Sequence, residues 1–172
     1  MTEGSSSLTE DDLALRDRLI AEADANGNAI VEVPAEDGEG PFTFSVGAYR
    51  RFGVPEGIVL GLPPAAGRQL VNAYVRRAAA GKKFIPGVRY HDFFDGVPIT
   101  FERVAKGHYF PYFGTAFLLH PAGDFPAVQL IVPATGMIWP WQPQAPADFV
   151  RWQPILTVSG VPESWVPGVN GP

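Results

Sequence analysis

A chain of 172 residues without a cysteine can bury roughly 70% of the surface it would expose unfolded, enough for one domain with a sizeable core. Disulfides, thiolate nucleophiles and cysteine-held zinc or iron–sulfur centres are excluded. The net charge of −5 divides unevenly: residues 1–40 carry eleven acidic and two basic side chains, while ten of the thirteen basic residues lie between Arg50 and Lys106.

A basic middle could take an anionic ligand or partner, with the acidic N-terminal arm competing for it, although solvated helix faces explain the same charges. The cations are not interleaved with stacking aromatics, so nucleic acid is not the expected partner. MTEGSSSLTEDD has neither the basic flank nor the apolar run of a secretory signal, and no apolar stretch reaches membrane-spanning length. A soluble, cytoplasmic protein without membrane contact is expected.

Residues 1–8 are short, polar and terminal, and disorder is expected there. Thr9 then starts a helix as N-cap, with Glu10, Asp11 and Asp12 at the positive end of its dipole. Leu13, Leu19, Ile20 and Ala23 form its apolar stripe before Asn26-Gly27 ends it. Ala29 to Val33 reads as a strand that pairs with Phe42 to Val46, where alternation points Phe42, Phe44 and Val46 inward. After a connection from Arg50 to Gly57, the apolar run Ile58 to Leu62 suits a buried strand. Pro64 opens a helix whose Leu70, Val71, Tyr74, Val75 and Ala78 repeat at helical spacing until Gly81. Arg76, Arg77, Lys82 and Lys83 crowd its negative end, a placement that is stabilising without any ligand.

FTFSVGAY, GVPEGIVLGLPP, AAAGKKF and PGVR, together with FPAVQLIVPATGMIWPWQP further on, resemble a family of small bacterial proteins common in actinobacteria, the domain-of-unknown-function family 4262. The resemblance spans about Phe42 to Pro143 and implies a compact α+β domain without supplying a substrate or catalytic residues. Two positions depart from the family pattern: Val54 stands where many members have histidine, and Gln142 stands where glutamate is usual after Trp141.

Beyond the second helix, a turn at Asp95-Gly96 leads into a strand from Val97 to Val104, with Pro98 pointing to a sheet edge. Tyr112 to Leu119 reads as a short helix or an irregular aromatic wall. Ala127 to Val132 reads as a strand, paired through Ala134-Thr135-Gly136 with Met137 to Trp139. From Pro140 the chain reads as extended and proline-stiffened, its tryptophans, Trp139, Trp141, Trp152 and Trp165, anchoring a wrap of the domain's own surface. The prediction is an α+β fold: a mostly antiparallel sheet covered by two or three helices, a single domain over residues 9–158, and an extended Pro/Gly-rich tail, 159–172, wrapping it.

No G-x-S-x-G, Walker-type, G-x-G-x-x-G or H-E-x-x-H pattern occurs, so the sequence-local nucleotide and hydrolase signatures are absent. The leading expectation is a binding protein of accessory or immunity-like kind. It would use an aromatic surface of Tyr109, Phe110, Tyr112, Phe113, Trp139 and Trp141 rimmed by Arg50, Arg51 and Arg89, for an unknown protein or small-molecule ligand. The alternative is a small-molecule enzyme using His91 or His108 as general base with Tyr90, Tyr109 or Tyr112 in an aromatic pocket. No metal or cofactor is called for. The candidate set for a divalent metal is His91 with Asp92 or Asp95, joined by His108 and His120, but sixteen and eleven intervening residues between the imidazoles match no compact ligand pattern.

Overall fold

Six strands form one sheet in the order β1-β2-β3-β6-β5-β4, in a computed structural model that describes residues 8–164. The strands are β1 (Ala29–Val33), β2 (Phe42–Val46), β3 (Glu56–Leu60), β4 (Tyr90–Phe94), β5 (Val97–Arg103) and β6 (Ala127–Ile131). Four of the five pairings are antiparallel; β3 and β6, at the centre, run parallel. The expected α+β fold, a mostly antiparallel sheet covered by helices, is what forms. The readings for residues 1–7, Trp165 and the rest of the tail lie outside the described residues.

Helix α3 (Pro64–Ala79) covers one face of the sheet. Its predicted stripe, Leu70, Val71, Tyr74, Val75 and Ala78, is entirely buried against Val59, Ile99, Phe101, Val128 and Leu130. On the other face Phe44, Val46, Ile58, Leu60 and Ala127 pack with Leu19 of α1 (Glu10–Asn26) and with Tyr109, Phe113 and Phe125. Double coverage corrects the half-buried reading of β2. Thr43 and Ser45, which alternation placed on the outer face, are 1% and 0% exposed.

Thr9 caps α1 as expected, and Asp12 completes the capping box by accepting the Thr9 N–H. Three other readings change. The connection after β2 contains a short helix, α2 (Ala48–Phe52), and β3 begins at Glu56, two residues earlier than the apolar run suggests. Pro98 is not on an edge strand, because β5 lies between β6 and β4. It is tolerated because the β4–β5 register shifts beside it and pairing with β6 starts only at Thr100. Met137 to Trp139 forms no strand, since a single bridge, Ala134 to Ile138, closes a turn around Met137 at φ 64°.

The aromatic segment folds as two 3-10 turns, Lys106–His108 and Gly114–Leu118, around α4 (Tyr109–Tyr112). The stretch after Pro140 is not uniformly extended: Ala147–Trp152 forms α5. The chain beyond α5 is then tied to the sheet by side chains. Gln129 of β6 donates to the Pro154 carbonyl and accepts the Leu156 N–H, and Gln153 makes the same two-ended contact with the Val132 backbone. Among the described residues no helix is long and apolar enough to cross a membrane.

Candidate functional site

The link from β2 through α2 to β3 is organised by one buried carboxylate. Glu56, 1% exposed, accepts hydrogen bonds from the Ser45 hydroxyl at 2.6 Å and from the N–H groups of Gly47, Ala48 and Tyr49 at 3.1, 3.3 and 3.0 Å. The three amides belong to the first turn of α2 and its cap, groups that no helix can pair internally. Gly47 has no side chain with which to cap, so a carboxylate from the neighbouring strand takes that role. Burial pushes the Glu56 carboxyl up to about 7 against the opposing pull of the four hydrogen bonds. With all four donors directed at it inside the core, Glu56 is an anchor for α2.

What α2 presents as a result is Phe52, 40% exposed, as one wall of an open cleft of about 400 Å³. The opposite wall comes from α3: Arg68, Asn72 and Arg76 recur every four residues, with Val75 and Ala79 one turn apart beside them. The floor comes from the end of α1 and the start of β1, where Asn28 and Ile30 lie. Gly27, at φ 96°, turns the chain from helix to strand, and a Cβ there would stand 3.6 Å from the Phe52 ring. The positive φ is what calls for glycine, since a Cβ would make only ordinary contact with the ring.

The polar groups lining the cleft divide into engaged and unengaged. Glu22 accepts the Ile30 N–H at 3.0 Å, Asn28 donates to the Ala29 carbonyl, and Arg68 pairs with Glu32 at 3.0 Å. No hydrogen bond or ion pair is made by the side chains of Asn26, Asn72 or Arg76 among the described residues. The neighbouring cations behave differently. Arg77 of α3 stacks over Phe93 at 4.5 Å, and Lys82, past the end of the helix, pairs with Asp92 at 2.6 Å.

The residues singled out in the sequence fall into separate groups. Trp139 and Trp141 stack at 5.4 Å with planes 8° apart, and the Arg89 guanidinium lies 5.3 Å from the Trp139 ring. Trp139 is 3% exposed and packs with Ile131 and Ile155, so it forms a satellite core and not an open patch. Tyr109 is buried with its hydroxyl on the Phe125 carbonyl, Phe113 is 0% exposed, and Tyr112 sits edge-on to Phe42; of the aromatic side chains in this segment Phe110 alone is widely exposed. Arg50 and Arg51 both reach Asp24, at 3.6 and 3.3 Å.

The three imidazoles are likewise apart. His91 is exposed on β4 beside Asp92, and Asp95 is exposed in the following turn. His108 places Nε2 3.2 Å from the Thr157 carbonyl, so that nitrogen carries the proton and donates. His120 lies between the rings of Tyr49 and Phe125 with Nε2 buried and unpartnered, and burial, with the Arg50 charge, lowers its pKa. No histidine lines the cleft. Among the described residues, no three His, Asp or Glu side chains gather in a metal-binding group.

A doubly covered α+β sheet with a carboxylate-anchored helix beside a polar cleft defines the class of protein. Residues 22–146 match the family described as Domain of unknown function (DUF4262), and the chain belongs to that family. The matched span contains Glu56 and every residue lining the cleft. No curated protein and no solved structure matches the chain.

Proposed function

We propose that this protein is a ligand-binding domain whose site is the cleft between α1, α2 and α3, and that it holds a small polar molecule without transforming it. The observation that carries this reading is the set of unengaged polar side chains, Asn26, Asn72 and Arg76, around a cavity in the size range of small-molecule sites. Binding is favoured over catalysis by the lining itself: it offers no hydroxyl, thiol or imidazole, and its one carboxylate, Glu22, already accepts a backbone N–H. None of the residues expected from the sequence to form an arginine-rimmed aromatic surface lines this cleft, whose one ring is Phe52 and whose arginines are Arg68 and Arg76.

An amide NMR titration of the full chain with a chemically diverse fragment library tests the reading. Hits should shift the resonances of residues 26–30, 52 and 72–79 and should vanish in Ala79→Trp, an exposed position where a bulky ring fills the cleft without disturbing the core. If no fragment moves those resonances, or hits persist unchanged in Ala79→Trp, the cleft is not a binding site.

A further inference from the structure

The chemistry of the same cleft specifies more than its existence. We infer that its ligand is a planar ring bearing a single anionic group, a carboxylate or a phosphate ester; this rests on the cleft being the binding site. Arg76 supplies the charge. Of the two guanidinium groups in the lining, Arg68 is neutralised by Glu32 at 3.0 Å, whereas Arg76 has no counter-ion among the described residues. Stabilisation of the helix end does not require Arg76 in particular, since Arg77, also in the last turn, supplies a positive charge there. A planar guanidinium fork of this kind matches the two oxygens of a carboxylate or phosphate.

Asn72 stands one helical turn before Arg76 on the same face, and Asn26 lies at the end of α1. Their amides extend the hydrogen-bonding rim without adding charge. Glu22 and Asn28 also line the cleft, but the Glu22 carboxylate is turned to the Ile30 N–H and the Asn28 amide to the Ala29 carbonyl; the apolar part is Ile30, Val75, Ala79 and the Phe52 ring. The Arg51 guanidinium lies 5.6 Å from the centroid of that ring, a cation beside an aromatic platform that the Glu56 anchor holds in place. A flat ring stacks on such a platform better than a saturated one. A cleft of about 400 Å³ has room for one ring with its substituent.

The test is a matched set of probes followed by amide NMR on the full chain: benzoate, phenyl phosphate, benzamide, cyclohexanecarboxylate and acetate. Benzoate and phenyl phosphate should shift residues 26–30 and 72–79, and benzamide, cyclohexanecarboxylate and acetate should bind at least tenfold more weakly. Benzoate affinity should fall at least tenfold in Arg76→Gln, a surface change that leaves the thermal midpoint where it is, and only a few-fold in Arg76→Lys. Comparing benzoate with phenyl phosphate tells a carboxylate site from a phosphate site. Benzamide binding as tightly as benzoate, indifferent to Arg76→Gln, overturns the anionic assignment but leaves the cleft a binding site. Cyclohexanecarboxylate matching benzoate overturns the planar assignment in the same way. A probe set that never perturbs the cleft, while a library hit does, overturns the ligand class alone; if the library also fails, the binding reading falls with it.

Discussion

The Ser45 hydroxyl donates to the Glu56 carboxylate at 2.6 Å and accepts the Gly57 N–H at 3.0 Å, so one buried oxygen joins β2 to the first residues of β3. Every donor around Glu56 needs an acceptor, and a carboxyl, with or without its proton, offers one on each oxygen, whereas an amide nitrogen offers none. Glu56→Gln therefore places an NH2 among N–H groups and leaves buried donors unpaired. It should lower unfolding free energy by about 2–4 kcal/mol, and Ser45→Ala by about 1–2 kcal/mol, by urea titration. An unchanged midpoint in Glu56→Gln would show that α2 does not depend on this anchor.

The same carboxyl predicts a pH dependence. Its pKa is raised from 4.5 to about 7, so the folded state holds the proton more tightly than the unfolded chain. Its stabilising effect is complete below pH 4.5 and is lost as the pH rises through 7, by about 3 kcal/mol. His120 works in the opposite sense. Its pKa is lowered from 6.5, so its contribution is present above that pH and lost on acidification. Wild type and Glu56→Gln measured side by side from pH 4 to 9 isolate the Glu56 effect: their stabilities should converge toward high pH. Parallel curves would refute the raised carboxyl.

The elements that local pattern determines were legible in the sequence. The α1 cap and the α3 stripe each depend on residues within a few positions of one another, and the β1–β2 pair on two strand-like runs joined by a single loop. Ser45 and Glu56 were not legible, because what buries them is the second covering layer of the sheet. Period-2 alternation marks Ser45 as an outer position, and only α3 packed over that face makes it an inner one. Trp139 and Trp141 misled for a related reason: their composition suits an interface, yet they stack on each other over Ile131 and Ile155. The cleft left one readable trace. Arg68, Asn72 and Arg76 recur every four residues beside the apolar stripe of α3, a polar row that the helix dipole alone does not explain.

Gly67 tests the packing of α3 on β2. Helix propensity favours alanine over glycine by up to about 1 kcal/mol. At this position, however, a Cβ would stand 2.5 Å from the Thr43 Oγ1 and 3.1 Å from its Cβ, and Thr43 is a buried, β-branched side chain that cannot swing away. The clash outweighs the propensity, and Gly67→Ala should destabilise by about 1–3 kcal/mol. Thr43→Ala in the same chain should recover part of the loss. A Gly67→Ala variant more stable than wild type would mean that helix and strand are packed less closely than these distances require.

The chain after α5 should be separable from the rest by the groups that hold it. Glu102 of β5, 2% exposed, accepts the N–H groups of Glu163 and Ser164 at 3.0 and 3.2 Å and the Ser164 hydroxyl at 2.5 Å. Gln129, 0% exposed, holds Pro154 and Leu156 closer to the sheet centre. The two positions differ in what their loss exposes. Gln129→Leu leaves a carbonyl and an N–H unpaired inside the core and should destabilise the whole domain by about 2–3 kcal/mol. Both N–H groups share one Glu102 oxygen, and Glu102→Leu removes it. The Glu163 and Ser164 amides should therefore exchange at least tenfold faster while those of β3 and β6 keep their protection. Uniformly faster exchange across the sheet in Glu102→Leu would show that this last segment unfolds with the core.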